Sequence, residues 1–328
     1  MLKYCIKRLL YIIPIMLGVV TLIFALSVIT PGDPVDMILG ADATPAAKAA
    51  LREEMGLNDP VYVRYVNYIV GIVTRFDFGN SYVNGKPIRD EILLRLPTTI
   101  KLAFAGVALS IIIALPLGII AAVKQYSAID NISMVVAMAG VSMPQFWLGM
   151  MLVLIFAVKL HLVPASGISS FKGWILPVFT IGIAAAASLA RNTRSSMLEV
   201  IRQDYMRTAR AKGAKEISIV LKHGLKNASI PIISGIGAQM GVQLGGSLIV
   251  ESVFAVPGLG KYMVDAINAR NFPAVQGGVI LVALMISLVQ LACDLLYTIV
   301  DPRMKSNLIS KNKRRTVKAP KKEGVTNG

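Results

Sequence analysis

Apolar and polar residues alternate along this chain in long blocks. Six predominantly apolar stretches, Leu9–Ile29, Leu102–Val123, Ile132–Val158, Trp174–Ala190, Ile232–Val253 and Gly278–Val300, are separated by polar segments of very different lengths. A helix needs about 20 apolar residues to cross a hydrocarbon core, so the pattern predicts an all-α integral membrane protein with six transmembrane helices. Lys3, Lys7 and Arg8 precede the first stretch in the manner of a signal peptide. Its apolar run is longer than the roughly 7–15 residues of a signal core and leads into Thr30-Pro31-Gly32-Asp33-Pro34, so it reads as a membrane helix.

The polar segments carry the organisation. Residues 31–99 are too long for a connector and mix a helical run, Thr44–Met55, with turn signals at Asn58-Asp59-Pro60 and Asn84-Gly85-Lys86-Pro87. Thr44 is placed to cap that helix, and the segment is expected to form a small ordered extracytoplasmic cap, with a passive tether as the alternative. Between the fourth and fifth stretches, Arg191 to Pro231 is polar, basic and helical in pattern. Good helix formers run from Asp204 to Gly213, a glycine suited to the left-handed position that ends helices. A second run, Lys215 to Asn227, puts Ile217, Val220, Leu221, Gly224 and Leu225 on one face. The expected parts are therefore 1–97, the first span and cap; 98–304, a five-span core carrying a helix–glycine–helix projection; and 305–328, a basic cytoplasmic tail without apolar periodicity, expected to be disordered and to lie near acidic lipid headgroups.

Charge sets the orientation. Lys plus Arg number 34 against 18 for Asp plus Glu, an excess that suits either nucleic acid or a membrane protein's asymmetric loops. The bases flank apolar spans and do not stripe a soluble face, which excludes nucleic acid as a partner. Segments 191–230 and 301–328 hold nine bases each against three and two acids, while 31–99 has seven bases and nine acids. Basic segments at alternate crossings place both termini in the cytoplasm and 31–99 outside. With hydrophobic residues at 55%, charged residues at 16% and a mean hydropathy of +0.65, the chain is expected to be a multi-pass membrane protein. The two cysteines, Cys5 and Cys293, imply no disulfide framework. His161 and His223 fall on opposite sides of the membrane, so no metal site is expected.

Candidate chemistry is sparse. Gly79-Asn80-Ser81-Tyr82-Val83-Asn84-Gly85-Lys86-Pro87 has one residue too many between its glycines for a phosphate loop and ends in Lys-Pro. No Gly-x-Ser-x-Gly, His-Glu-x-x-His or Cys-x-x-Cys occurs, so the chain is not expected to be an enzyme or to hold a cofactor. Ionisable residues near spans default to functional roles. Lys101 and Glu251, at the outer ends of the second and fifth spans, are candidates for the mouth of a pathway, and Asp294 is expected to bond a neighbouring helix near the inner surface. Gly237, Gly241 and Gly245 recur every four residues and read as a close helix-packing face.

Four blocks carry a resemblance. Arg207-Thr208-Ala209-Arg210-Ala211-Lys212-Gly213 is similar to the coupling signature of the type I permeases of ATP-binding-cassette importers, Glu-Ala-Ala followed by three residues and Gly. Arg207 and Thr208 depart from the general form and Ala209 and Gly213 keep it. The form Asp-Tyr-x-Arg-Thr-Ala-Arg-Ala-Lys-Gly of the dipeptide, oligopeptide and nickel branch matches from Asp204 and Tyr205 onward. Pro31-Gly32-Asp33-Pro34, Arg191-Asn192-Thr193-Arg194-Ser195-Ser196-Met197-Leu198-Glu199 and Val256-Pro257-Gly258-Leu259-Gly260 resemble the same branch, in order along nearly the whole chain. The resemblance implies a type I permease fold, a second homologous permease subunit, two cytoplasmic ATPase subunits that bind ATP and Mg, and an extracytoplasmic substrate-binding protein. It assigns coupling to Asp204, Tyr205, Arg207, Thr208, Ala209, Arg210, Ala211, Lys212 and Gly213, with a basic helix resting on lipid headgroups as the alternative. Di- or oligopeptides are the implied substrates; nickel chelates or another small metabolite share every motif. An ion-coupled carrier working alone would show inverted repeats and broken spans with buried charges, whereas these spans are nearly charge-free, and a scaffold or receptor would not need the helix–glycine–helix.

Overall fold

The computed structural model describes the backbone of residues 2–40 and 42–300 and the side chains of 6–40 and 42–296. The basic tail 305–328 and the thiol of Cys5 lie outside these. Helices follow one another as α1 (Leu2–Ile29), α2 (Pro34–Leu39), α3 (Pro45–Glu54), α4 (Val61–Arg75), α5 (Ile88–Val123), α6 (Ala128–Ser142), α7 (Gln145–Leu152), α8 (Phe171–Ile201), α9 (Asp204–Ala211), α10 (Glu216–Ser218), α11 (Lys226–Val253), α12 (Leu259–Asn268) and α13 (Phe272–Val300). Two π-helical stretches, Val153–Lys159 and Ile219–Leu225, extend α7 and join α10 to α11. Among the described residues the only strand-like pairing is a bridge between Asn80 and Pro87.

Among the described residues, five helices are long and apolar enough to cross a membrane: Ile6–Ile29, Ile88–Val123, Phe171–Ile201, Glu216–Val253 and Phe272–Leu296. The third apolar stretch differs from the single straight span expected over Ile132–Val158. It is a broken pair, Ala128–Ser142 and Gln145–Lys159, bent by 101°. The break has a local cause. Pro144 lacks an N–H and its ring drives the preceding residue out of the helical region, and Met143 accordingly has ψ 125° and Pro144 ψ 135°.

Three other boundaries move outward. α5 starts at Ile88, so the division at residue 97 falls inside a 36-residue helix, roughly 54 Å at 1.5 Å per residue. α8 continues to Ile201, which puts Arg191 and Arg194 on the same helix as the fourth apolar stretch. The fifth span begins at Glu216, leaving only 202–215 between two spanning helices.

Lipid offers no hydrophobic force to pair helices, so close packing of small residues has to hold them. α8 is the central helix, packed along α5 and also against α6, α7 and α11. Its run Ala185, Ala186, Ala187 and Ala190 is buried, with Ala114 of α5 in the same cluster as Ala186 and Ala190. Gly237 meets α13: a Cβ there would lie 2.4 Å from Cys293 Sγ, whereas at Gly241 and Gly245 the nearest atoms of Ile286 are at 3.6 and 3.7 Å. The glycine stripe thus faces α13, tightly at one turn and loosely at two.

The cap is built as its caps and charges dictate. Asp33 accepts from Val35 N–H at the start of α2, and Thr44 Oγ1 accepts from Ala47 N–H (3.3 Å) at the start of α3. Arg52 pairs with Asp33 and Lys48 with Asp36. The cap is docked, not tethered: buried Asn271 donates to Ser81 Oγ (2.8 Å) and accepts from Tyr82 N–H (3.1 Å) at the α12–α13 turn. At the opposite end of the bundle, Arg8 of α1 reaches Asp294 of α13 at 2.8 Å, the neighbouring-helix contact expected for that aspartate.

Candidate functional site

α9 stands two residues beyond the end of α8, at the end of the bundle away from the cap. Its composition explains it: Asp204 opens the helix and Arg210 closes it, the arrangement that complements the helix dipole. It ends in a Schellman turn, with Gly213 N–H donating to Arg210 O (2.9 Å) and Ala214 N–H to Ala209 O (3.3 Å). Gly213 has φ +76°, where a side chain is strained even though a Cβ would meet nothing within 4 Å.

One face of α9 is anchored. Met206 is fully buried, and beneath it Gly224 leaves room for two methionine methyls: a Cβ at 224 would lie 3.2 Å from Met197 Cε and 3.5 Å from Met206 Cε. Arg210 grips Glu216 at the start of the next helix, Nη2 to Oε1 at 2.7 Å and Nε to Oε2 at 3.1 Å. That hydrogen bond holds the Arg210 guanidinium above its ordinary pKa against a smaller opposing effect of burial, and partial desolvation pushes the Tyr205 phenol up although the residue is exposed.

The other face is open. Arg207 is 78% exposed and reaches Asp204, 98% exposed, only at 4.0 Å. Tyr205, Thr208, Ala211 and Lys212 are exposed beside them, and Ala209 is half-buried. The face expected over Lys215–Asn227 is corrected here. Ile219, Val220 and Gly224 are the buried set, Leu225 is half-buried, and Ile217 and Leu221 point outward at 71% and 50% exposure. The π-helical turn over Ile219–Leu225 is the reason, because its wider winding rotates the apolar side away from the 3.6-residue register. α9 with Ile217 and Leu221 is therefore a rigidly seated projection bearing mixed charged and apolar side chains.

Lys101 and Glu251, the candidates for a pathway mouth, lie in different surroundings. Lys101 is exposed and lines a cleft of about 430 Å³ with Phe171, Trp174 and Phe179. Glu251 is fully buried. Its Oε1 accepts from Thr99 Oγ1 (2.7 Å) and Ser247 Oγ (3.3 Å), and its Oε2 accepts from Lys261 N–H (3.0 Å). Thr99 Oγ1 in turn accepts from Leu259 N–H (2.8 Å). The carboxylate sits at the N-terminus of α12, where free N–H groups and the helix dipole favour an anion. It also explains Val256-Pro257-Gly258-Leu259-Gly260. A Cβ at Gly258 would lie 2.3 Å from the Glu251 carboxylate, and one at Gly260 would lie 2.5 Å from Leu248 Cα.

Two polar pairs inside the bundle escaped the reading of the sequence. Arg194 of α8 donates with both arms to Asp130 of α6, Nε to Oδ1 at 2.6 Å and Nη2 to Oδ2 at 2.7 Å. Gln145 of α7 donates to Gln243 of α11 at 3.1 Å. The signals were thin: Asp130 follows Ser127 by three residues, as in a helix start, and Gln243 is one of two glutamines, with Gln239, in a largely small and apolar span.

Comparison with known proteins follows this geometry. Residues 114–306 match the family described as "Binding-protein-dependent transport system inner membrane component", and residues 1–103 match the N-terminal membrane component of such systems. The chain is 42% identical over 305 residues to the glutathione transport system permease protein GsiC of Escherichia coli K12, covering 93% of this chain and 99% of that one. It is 41% identical over the same length to GsiC of Salmonella typhi. The fold is shared with an inward-facing structure of the MetNI methionine ABC transporter, at a TM-score of 0.57 and 20% identity over 64% of this chain and 96% of that one. Family components of this kind work with an ATPase, a substrate-binding protein and a second permease. The chain belongs to the binding-protein-dependent inner-membrane component family and is a multi-pass permease subunit of an ATP-binding-cassette importer in the plasma membrane.

Proposed function

We propose that this subunit forms half of a translocation path for di- and oligopeptides and that α9 transmits closure of the ATPase subunits to it. The observation that carries the reading is α9 itself. It is seated on the bundle by Met206 and by the Arg210–Glu216 fork, while Asp204, Tyr205, Arg207 and Thr208 stand free for a groove in another protein. A short helix held this firmly moves as a rigid element, which is what transmission of a displacement requires. Asp204, Tyr205, Arg207, Thr208, Ala209, Arg210, Ala211, Lys212 and Gly213 are the coupling residues in this reading. Two ATPase subunits bind ATP and Mg on the cytoplasmic side, both termini of this chain lie on that side, and a second permease subunit completes the path. The similarity to permeases named for glutathione, a tripeptide, favours a peptide-class substrate delivered by a binding protein outside the cell.

Gly213→Val and Arg207→Glu, made separately in the reconstituted complex, test the assignment. The first forces a β-branched residue to φ +76° and displaces the turn; the second leaves the fold intact and reverses a charge on the open face. Both are expected to abolish substrate-stimulated ATP hydrolysis and uptake while the subunit still reaches the membrane. Normal assembly with parental transport in both would replace this reading with a helix resting on the membrane surface.

A further inference from the structure

We propose that the Arg194–Asp130 ion pair is the joint through which movement of α9 reaches the broken span α6–α7, so that both are positioning residues for transport. The inference rests on the reading of α9 as the ATPase-docking element.

Arg194 lies two turns before the end of α8, which leads directly into α9. Its guanidinium holds the Asp130 carboxylate in a two-armed fork at 2.6 and 2.7 Å, the geometry that fixes direction as well as distance. The Asp130 side chain is 2% exposed. The same carboxylate accepts from Tyr126 N–H (3.0 Å), closing the turn between α5 and α6, where Tyr126 takes a left-handed φ of 63°. A second link falls on the same turn: Arg202, just before α9, donates to Gln125 at 3.3 Å. The junction of α8 with α9 is thus bolted at two points to the start of α6.

The far side of the broken span is held as well. Past the bend at Pro144, Gln145 bonds Gln243 of α11, and the helix containing α11 returns to Glu216, the partner of Arg210 on α9. These contacts link α9, α8, α6, α7 and α11 in a circuit in which the α6–α7 pair is bent by 101° at Met143-Pro144. A displacement of α9 enters at Arg194, swings α6, and is absorbed at the bend, because the fork resists parting: the Asp130 carboxylate would lose both guanidinium donors at once. A buried ion pair is weak evidence for stability, since apolar packing can do as well. A directional link is a use that apolar packing cannot supply.

The test uses the complete transporter in liposomes, with Cys5 and Cys293 replaced by Ala and a spin label on Val136→Cys, an exposed position of α6. The label's spectrum is read before and after ATP–vanadate trapping, and ATP hydrolysis is measured on the same vesicles. Arg194→Lys keeps the positive charge and removes the fork, so it leaves no lone carboxylate and preserves the fold. We expect hydrolysis and assembled complex to persist in it while the ATP-driven population shift at Val136 falls about tenfold, within the usual range of coupling between sites. Asp130→Asn should lose as much, and the double variant no more than the worse single one, as for residues acting as one unit. An undiminished shift in Arg194→Lys overturns the joint, and so does a loss that only tracks a loss of assembled complex. Arg207→Glu is the control for docking: loss of both hydrolysis and shift upholds α9 as the docking element, and parental values of both overturn that reading.

Discussion

Removing the Glu251 carboxylate should loosen the cap end of the bundle, and the cost follows from its partners. In Glu251→Ala the partly buried Lys261 N–H loses its acceptor, the buried Thr99 and Ser247 hydroxyls lose theirs, and a cavity opens beside Gly258. An orphaned buried donor costs about 1–3 kcal/mol, so with the cavity the total is about 3–5 kcal/mol. Glu251→Gln can still accept from Lys261 N–H through its oxygen while its NH₂ faces Thr99. It gives up the charge-assisted component, about 1–2 kcal/mol. Melting of the purified complex should therefore fall in the order parent, Gln, Ala, with protease nicking of 254–271 rising in the same order. Gly260→Ala, whose Cβ cannot fit beside Leu248 Cα at 2.5 Å, should resemble Glu251→Ala. If both Glu251 variants melt with the parent and instead raise the KM of uptake, the carboxylate faces the pathway and the clamp described above is wrong.

Gly237→Val should destabilise the α11–α13 contact by about 1–3 kcal/mol through overpacking against Cys293, whereas Gly245→Ala, with its nearest neighbour at 3.7 Å, should be silent; detergent melting separates the two. A cysteine at Asn58, exposed in the cap, should react with a membrane-impermeant maleimide in intact cells. Reaction only after permeabilisation would reverse the orientation.

What could be read from the chain and what could not divides on physical lines. The five spanning helices, the Thr44 cap and the glycine end of α9 follow from local composition, because apolar length, capping side chains and a residue tolerant of positive φ act within a few positions. The bend at Pro144 was also locally written, yet the surrounding apolar run from Ile132 to Val158 masked it as one continuous span. The face of 215–227 was misassigned because a π-helical turn breaks the periodicity on which the assignment relied. Glu251 was placed at a mouth because an acid at a span end looks solvent-facing in sequence. Its true surroundings come from Thr99, 152 positions away, and from a turn that folds back over it. The Arg194–Asp130 fork joins residues 64 apart, and no local pattern pairs them.

The most direct measurement of how this subunit is driven is cross-linking from α9 itself. A photo-reactive side chain at Arg207 in the assembled importer should give a covalent adduct with an ATPase subunit, and adduct formation should change between the nucleotide-free and vanadate-trapped states. Adducts confined to lipid, and unchanged by nucleotide, would contradict the assignment of Asp204–Gly213 as the element that carries ATPase closure into the membrane.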